Sequence, residues 1–448
     1  MRLMLRDAAG RIPYPLARPL VWVPFPFRLG RQYSIARKQI DQFDSASSTD
    51  QEIWILNRLQ EIVRFAYAKT TFYRHWYDRH HFAPDRLRTL AHFQDVPLVT
   101  KQDLRSFTLE QRSGEMRGAL RLNTGGTSGE PLDFYVDQHA FAREWAHMHR
   151  IWEAGGYRQR DLKLTLRGKH LGRTAIRYNV VHNEYVANAY IRPGELAEAL
   201  DRLPRSRRIR WFHGYPSLVA EFAGILQGQH PELLARLRRD IKGVLLGSEY
   251  PAPHYRQVIE DVLTPNVVAW YGHSEMAVLA REQARDLYAP LQTYGYCEAV
   301  ADDTGPQKLV GTSYWNRASP FIRYDTGDLV RADPNEPLLR RFEIAEGRVG
   351  DFVECADGAR IALTALIFGR HHPAFEMIDH VQVRQDKPGA ITVVVVPKAH
   401  FVNQPDLVAA GFHVRDVGLS VHFEFVPEPV RTARGKTPLL IRSQDSEP

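Results

Sequence analysis

The sequence predicts an α/β protein in which a large N-terminal domain of mixed sheets and helices precedes a small C-terminal α+β domain. From about residue 118, short apolar runs alternate with longer segments of helical periodicity, a pattern that is typical of α/β sheets. After residue 346 the pattern changes to strand-like runs separated by turn residues. We therefore place the large domain at residues 1–346 and the small domain at residues 347–448.

The spacing of apolar residues predicts individual elements of the large domain. Apolar residues recur at helical spacing between Leu56 and Ala66, and residues 216–229 predict a second helix. The segments LKLTL from Leu162 and IKGVLLGS from Ile241 predict buried strands. Early prolines and a polar stretch predict that residues 1–50 form an irregular segment.

Turn residues organise the predicted small domain. Asp357-Gly358 lies between two apolar runs, which is a strong hairpin signal. The segment HVQVRQDKPGAITVVVV, residues 380–396, predicts a strand, a turn and a second strand. A further strand is predicted at LSVHFEFV from Leu419.

Composition limits the class of protein. The net charge is +7 and the pI is about 9.3, which suits ligands that carry phosphate. The two cysteines, Cys297 and Cys355, supply neither a disulfide framework nor a cysteine-based zinc site, so zinc is not expected. The N-terminus lacks a signal-peptide pattern and no apolar run reaches the length of a membrane span. These features predict a soluble cytoplasmic protein in which the apolar segment 19–27 packs on the large domain.

The strongest local signal is the segment LNTGGTSGEPLDFYV, from Leu122 to Val136. A loop rich in threonine, glycine and serine lies there between two strand-like runs. Glycines let backbone N–H groups approach an anion closely, and hydroxyl groups add donors, so the loop suits a polyphosphate. No Gly-Lys-Ser/Thr sequence follows it, so it is not a Walker P-loop.

Two further segments carry groups that suit a nucleotide. In WYGHSEM, residues 270–276, Tyr271 offers an aromatic face for a base and Glu275 offers a hard oxygen ligand for Mg²⁺. In FIRYDTGDLV, residues 321–330, Asp328 follows a Thr-Gly turn at the end of a predicted strand. A carboxylate there can accept hydrogen bonds from the hydroxyls of a ribose.

The last two segments lie at and beyond the predicted domain boundary. EGRVGD covers residues 346–351, and RTARGKTPLL, residues 431–440, places Lys436 on a loop next to a glycine. Each of the five segments, taken alone, also fits a plain turn or a surface loop. Their order and spacing together are specific.

This ordered set resembles the adenylate-forming superfamily, which includes acyl-CoA synthetases, nonribosomal-peptide adenylation domains and luciferases. The resemblance extends from about residue 50 to 442. Within the superfamily the chain is similar to the phenylacetate–CoA ligase branch, and there to the CapK-like (capsular polysaccharide biosynthesis) ligases. The segments behind this finer assignment are HGYPSL from His213, LLGSEY from Leu245, YGHSE from Tyr271, the AVLARE that follows it, and RIALTAL from Arg360.

The resemblance implies which residues bind ATP. The glycine-rich loop is expected to hold the β- and γ-phosphates through Thr124, Gly125, Gly126, Thr127, Ser128 and Gly129. Gly247, Ser248 and Glu249 are expected beside the adenine, and Tyr271 is expected to stack on it. The implied site also includes Gly272, then Asp328 on the ribose hydroxyls and Arg348 near the ribose.

The same resemblance implies the residues of catalysis and acid binding. Ser274 is expected to approach the α-phosphate, Glu275 to bind Mg²⁺, and Lys436 to bridge the acyl carboxylate and the α-phosphate. Asp351 is the expected hinge of a mobile C-terminal domain. The candidate residues of the acid pocket are His213, Gly214, Tyr215, Pro216 and His273.

The implied activity has two steps. ATP and a carboxylic acid form an acyl-adenylate with release of pyrophosphate, and the acyl group then passes to a thiol such as coenzyme A or the phosphopantetheine of a carrier protein. An amine acceptor is the alternative, because this branch also contains amide-forming ligases. A nucleic-acid binder is suggested by the positive charge alone and lacks a recognised module, so no nucleic-acid partner is expected. An inactive scaffold is disfavoured by the retention of Glu275, Asp328 and Lys436.

Overall fold

The computed structural model describes most of the 448 residues of the chain. The described residues are 19, 22–124, 132–189, 191–301, 307–333, 338–345, 352–358, 360–363, 366–367, 372–414, 417–430 and 439–441. Eight predicted site residues lie outside these ranges: Gly125, Gly126, Thr127, Ser128, Gly129, Arg348, Asp351 and Lys436.

The N-terminal part of the described chain is helical. Its α-helices are α1 (Phe25–Leu29), α2 (Arg31–Asp44), α3 (Ser48–Lys69), α4 (Thr71–Arg79) and α5 (Lys101–Arg105), with 3₁₀ turns at Pro84–Arg86 and Ala91–Asp95. The predicted helix around residues 56–66 is confirmed as part of α3. Ser47 caps α3 because its hydroxyl accepts a hydrogen bond from the Asp50 N–H.

The prediction that residues 1–50 are irregular is wrong for residues 25–29, 31–44 and 48–50, which are helical. Helix α2 forms there because Tyr33, Ala36, Ile40 and Phe43 recur at helical spacing and bury one face. The charged residues between these apolar positions make the helical spacing difficult to recognise in the sequence. The segment 19–27 packs on the rest of the molecule only in part, since Phe25 is buried whereas Trp22 and Phe27 are exposed.

Among the described residues, twelve strands form one large sheet. The elements from residue 120 to 344 are β1 (Leu120–Asn123), β2 (Asp133–Val136), α6 (Ala140–Ala154), β3 (Lys163–Leu166), β4 (Ile176–Asn179), β5 (Glu184–Ala187), α7 (Pro193–Asp201), β6 (Trp211–Gly214), α8 (Pro216–Gln229), α9 (Pro231–Asp240), β7 (Gly243–Leu246), α10 (Pro253–Val262), β8 (Val267–Gly272), β9 (Leu279–Ala284), β10 (Leu287–Pro290), β11 (Gly295–Val300), β12 (Gln307–Ser313), β13 (Tyr324–Arg331) and β14 (Phe342–Ile344). Strands β3 and β7 and helix α8 confirm the predictions for those segments.

The large sheet has a parallel half and an antiparallel half. Its strand order is β11-β12-β13-β14-β10-β9-β8-β7-β6-β3-β5-β4. Strands β5, β3, β6, β7 and β8 run parallel to their neighbours in this set, whereas β9 pairs antiparallel with β8. Strands β1 and β2 form a separate antiparallel pair. The predicted α/β architecture is therefore confirmed.

The residues after 351 form their own sheets and their own hydrophobic core. The elements are β15 (Phe352–Glu354), β16 (Arg360–Ala362), β17 (Ile378–Lys387), β18 (Ala390–Pro397), α11 (Pro405–Ala410), β19 (Ser420–Phe425) and β20 (Leu440–Ile441). Strands β15 and β16 confirm the hairpin predicted at Asp357-Gly358. The predicted strands of residues 380–396 and from Leu419 are confirmed as β17, β18 and β19, which with β20 form a four-stranded sheet.

Ion pairs connect these C-terminal residues to the preceding part of the chain. They are Arg105–Asp379, Arg121–Glu376 at 2.9 Å and Arg192–Asp357 at 2.8 Å. The boundary at residue 346 and the hinge at Asp351 remain predictions, because residues 346–351 lie outside the described ranges. Within the described ranges, no helix is both long and apolar enough to cross a membrane.

Candidate active site

The candidate site lies where the parallel strands of the large sheet end. Leu166, the last residue of β3, pairs with Gly214 at the end of β6, and Gly214 pairs with Leu246 at the end of β7. Strand β8 ends nearby at Gly272. Ligands of open α/β sheets bind outside the carboxyl ends of the strands. The segments that follow β6, β7 and β8 are the ones predicted for acid, adenine and Mg²⁺.

Glycine is required where the strand ends pack closely. A Cβ atom on Gly247 would overlap the indole of Trp270, and one on Gly214 would overlap the carbonyl of Leu166. Both glycines therefore let neighbouring groups approach at the edge of the sheet. Their substitution would displace the segments that carry the site.

The segment Gly247 to Glu249 is held by side chains of two neighbouring strand ends. Ser248 has a φ of 71°, which is uncommon outside glycine and typical of functional sites. Its hydroxyl accepts a hydrogen bond of 2.9 Å from Arg167, the residue after β3. Glu249 accepts a bond of 2.6 Å from Ser217 at the start of α8. Two anchors thus fix the backbone proposed to run beside the adenine.

Glu275 is a buried carboxylate with a hydrogen-bond donor on each oxygen. The His273 ring donates through Nδ1 to Oε2 at 3.0 Å, and the Tyr324 hydroxyl donates to Oε1 at 3.1 Å. Burial alone would raise the pKa of Glu275, but the charge and hydrogen bond of His273, with the charge of Lys101, outweigh it and lower the pKa to about 2. Glu275 is therefore ionised throughout the physiological pH range.

The carboxylate of Glu275 fits a Mg²⁺ ligand. Magnesium takes oxygen ligands and is usually held by one or two carboxylates together with substrate phosphates. The described residues include no cluster of three or more Asp, Glu, His and Cys side chains that could hold a metal by themselves. An ion on Glu275 would accordingly take most of its ligands from the nucleotide and from water. Ser274 is exposed beside it, so its hydroxyl is accessible to a phosphate.

Tyr271 and Asp328 lie together although 57 residues separate them in the sequence. The Tyr271 hydroxyl donates to Asp328 Oδ2 at 2.6 Å. The prediction that Asp328 lies at the end of a strand is wrong, since it lies inside β13. Lys308 pairs with Leu329 and Val310 with Asp325, so β13 bulges between these pairs. The bulge, with Gly327 at a φ of 77°, turns the Asp328 carboxylate toward Tyr271.

Thr124 closes the base of the glycine-rich loop. Its side chain is buried, and its hydroxyl accepts a hydrogen bond of 2.9 Å from the Leu132 N–H. Its own N–H donates to the Leu132 carbonyl at 2.9 Å. Thr124 thus joins the two ends of the loop, whereas the residues predicted to touch phosphate, Gly125 to Gly129, lie outside the described ranges.

The predicted acid-pocket residues flank the same edge. His213 is buried between Trp152 and Trp270, and its Nδ1 lies 3.2 Å from the Thr165 hydroxyl. Burial holds the pKa of His213 well below its usual range. Tyr215 caps α8, which begins at Pro216, and the Arg167 guanidinium lies 5.7 Å from the Tyr215 ring centre. His213 and Gly214 end β6, Tyr215 and Pro216 follow them directly, and His273 lies in the turn after β8.

Sequence reasoning missed three side chains of this region. Arg167 follows the run LKLTL, so the position of a residue directly after a predicted strand could have identified it. Glu144 on α6 and Tyr294 before β11 carry no local signal. They meet only in the folded chain, where the Tyr294 hydroxyl donates to Glu144 Oε2 across 150 residues of sequence.

The fold is similar to that of an acyl-CoA ligase of known structure. A crystal structure of 2-hydroxyisobutyryl-CoA ligase in the postadenylation state, in complex with 2-HIB-AMP, matches with a TM-score of 0.53 and 19% identity over 89% of this chain and 90% of that one. The same enzyme with 2-HIB-AMP and CoA in the thioesterification state matches with a TM-score of 0.53 and 18% identity over 89% and 91%. These likenesses confirm the predicted fold.

A curated relative is protein CapK of Staphylococcus aureus. It is 19% identical to this chain over 400 residues, which cover 86% of this chain and 88% of CapK. This likeness agrees with the CapK-like assignment made from the motifs. No protein-family model matches the chain.

Proposed function

We propose that this protein activates a carboxylic acid with ATP, forming an acyl-adenylate and pyrophosphate, and then transfers the acyl group to a thiol. The observation that carries the proposal is the convergence of Glu275, Tyr271–Asp328 and Ser248 at one edge of the parallel strands. Each group matches a part of ATP: a metal-bound phosphate, a base with its ribose, and the adenine edge. The fold shared with 2-hydroxyisobutyryl-CoA ligase supports the same chemistry.

The first half-reaction assigns a task to each group. Adenylation joins two anions, a carboxylate and a triphosphate, so their repulsion must be offset by cations placed beforehand. Mg²⁺ held by Glu275 would supply Lewis-acid stabilisation of the phosphates. The His273 and Tyr324 hydrogen bonds hold the Glu275 carboxylate in one orientation. Lys436 is the proposed cation on the acyl side, and Gly125 to Gly129 with Arg348 are proposed on the phosphates and the ribose.

The second half-reaction needs the same site in another arrangement. We assign the thiol acceptor to coenzyme A or a carrier-protein phosphopantetheine, in agreement with the CoA-bound state of 2-hydroxyisobutyryl-CoA ligase. The small C-terminal domain is proposed to turn about Asp351 between the two steps. An amine acceptor, which would make the protein an amide-forming ligase of the phenylacetate–CoA ligase branch, is the second candidate.

The proposal is tested by measuring pyrophosphate release against a library of aryl, fatty, hydroxy and amino acids. We expect AMP and pyrophosphate to form only when Mg²⁺ and one class of acid are both present. Adding coenzyme A, then simple amines, to the active acid distinguishes a thioester from an amide by mass. Formation of ADP and phosphate, or no acid-dependent product with the whole library, would contradict an AMP-forming ligase.

Asp328→Ala is expected to weaken ATP binding by at least about tenfold and to leave acid binding unchanged. An ionised carboxylate accepts several hydrogen bonds at once, and hydrogen bonds to a charged group contribute about 1.5–3 kcal/mol each. Calorimetry with ATP measures the change. Asp261→Ala, at an exposed carboxylate on α10, is the matched control. Equal ATP affinity in both variants would show that Asp328 does not bind the ribose.

A further inference from the structure

Glu144 places a carboxylate beside the proposed acid pocket. It lies on α6 and is partly accessible, and only its Oε2 receives a hydrogen bond, from the Tyr294 hydroxyl. No described residue donates to Oε1, and no described cation forms an ion pair with Glu144. One oxygen of this carboxylate therefore remains available within the part of the chain that the structure describes.

Tyr294 ties Glu144 to the strand ends that form the site. Its ring packs in one buried cluster with Leu245 of β7, Trp270 of β8 and Met276, which follows Glu275. Its side chain is 5% exposed, so the hydrogen bond to Glu144 is shielded from water. The Glu144 carboxylate is thereby held at a set position next to the residues proposed to bind the acid.

Two side chains of the proposed site, His273 and Arg167, act on the Glu144 carboxylate without forming an ion pair with it. Burial raises the pKa of Glu144, and the Tyr294 hydrogen bond with the charges of His273 and Arg167 lowers it in part. Neither cation forms an ion pair with Glu144. His273 Nε2 is buried and has no hydrogen-bond partner among the described residues. Glu144 Oε1 and His273 Nε2 thus both lack a hydrogen-bond partner within the described part of the chain.

An apolar acyl group packed against Glu144 would be unfavourable. It would expel water from Glu144 Oε1 and leave that oxygen without a donor, and an unsatisfied charged group is costly to bury. A substrate that carries its own donor would satisfy the oxygen. A site built to hydrogen-bond a substrate group also rejects the analogue that lacks it far more strongly than a hydrophobic pocket rejects a missing methylene.

We propose that Glu144 selects the acid, its Oε1 accepting a hydrogen bond from a hydroxyl or ammonium group on the acyl chain, so that the substrate is a hydroxy or amino acid. The proposal rests on the proposed adenylation activity. Glu144 is a specificity-determining residue here, Tyr294 positions it, and neither is assigned to the bond-forming step. Hydroxy and amino acids both carry a hydrogen-bond donor on the acyl chain, and the test distinguishes a hydroxyl donor from an ammonium donor.

The test uses sets of acids that share a carbon skeleton and carry hydrogen, a hydroxyl or an ammonium group at C2, C3 or C4. Pyrophosphate release gives kcat/KM for each acid with the wild-type protein. We expect the best acid to exceed its unsubstituted parent by about tenfold to a hundredfold, the effect of one hydrogen bond to a charged group. Glu144→Leu is expected to bring this ratio to within about threefold of unity, because the acceptor is lost.

The conservative Glu144→Gln variant identifies the donor. It retains a carbonyl acceptor but loses the charge, so preference for a hydroxy acid is expected to persist and preference for an amino acid to disappear. Glu153→Gln is the control on the same helix, since Glu153 pairs with Arg37 at 2.7 Å instead; its ratio is expected to match the wild type. Thermal melting verifies that each variant is folded. If Glu144→Leu fails to fold, Glu144→Gln still tests the proposal, because it retains the shape of the side chain.

Two results would overturn the inference while the proposed function stands. One is a wild-type protein that prefers unsubstituted alkyl or aryl acids over their hydroxy and amino analogues. The other is an unchanged ratio in both Glu144 variants. Absence of pyrophosphate release with every acid in the wild type would instead overturn the adenylation activity itself, and this inference with it.

Discussion

Lys436→Ala is expected to lower the rate of adenylate formation by about 10²–10³ and to leave the fold intact. Negative charge grows on the α-phosphate oxygens as the carboxylate attacks, and one preorganised donor at a developing charge contributes an effect of that size. Glu275, with the Mg²⁺ it is proposed to bind, is assigned to the phosphate groups of ATP. Lys436, by its position in the RTARGKTPLL segment, is the proposed cation on the side of the carboxylate.

The measurement separates the two half-reactions. Pyrophosphate release with the preferred acid reports adenylation, whereas thioester formation from supplied acyl-adenylate reports the second step. We expect the second step to change much less, because Lys436 is proposed to leave the site with the small domain. Lys387→Ala, at an exposed lysine in the same part of the chain, is the matched control. If the folded Lys436→Ala protein releases pyrophosphate at a near-normal rate, Lys436 is an ordinary solvent-exposed lysine. The main support for this mechanism would then be lost.

Glu275→Gln is expected to lower adenylation by a similar factor, about 10²–10³, and to raise the Mg²⁺ concentration that the reaction needs. The amide has nearly the same shape but carries no charge, so it is a weaker ligand for a hard cation. The pKa of about 2 means that the wild-type residue is ionised at every pH at which the assay can be run. The loss is therefore expected to be independent of pH between about 6 and 8, because a group of such low pKa stays charged throughout that range.

Titrating Mg²⁺ in the pyrophosphate assay tests this assignment. Tyr324→Phe removes the hydrogen bond to Oε1 but keeps the Glu275 charge, so we expect a smaller loss than in Glu275→Gln. Glu343→Gln, at an exposed carboxylate on β14, is the control and is expected to behave as the wild type. If Glu275→Gln shows the wild-type rate and the wild-type Mg²⁺ dependence, Glu275 is a structural carboxylate and the metal lies elsewhere.

Local periodicity and motif spacing were sufficient for the main strands and for the groups that follow them. Every residue of β3 and β7 is buried, as expected of parallel strands that are covered on both faces. Polar residues directly after such strands necessarily meet at one edge of the sheet. For that reason the sequence could place Ser248, His273 and Glu275 in one site.

Helix α2 and the bulge in β13 could not be predicted from local sequence patterns, because both depend on contacts with other segments. The apolar face of α2 is interrupted by charged neighbours, and it becomes a core element only because α6 covers it; Ala36 and Ile40 pack in one buried cluster with Ala146. Asp328 reaches Tyr271 because β13 slips in register against β12. Register is decided by the pairing of both strands, so one strand's sequence does not predict it.

The tertiary structure alone brought Glu144 and Tyr294 together. Glu144 has no neighbour at helical spacing that marks it as functional, and Tyr294 lies in a segment without a recognised motif. Their hydrogen bond spans 150 residues and forms because α6 and the start of β11 pack against the same strand ends. The order of chemical groups along the chain thus specified where ATP is expected to bind, whereas the groups proposed to select the acid depend on contacts between distant segments, which form only when the core is packed.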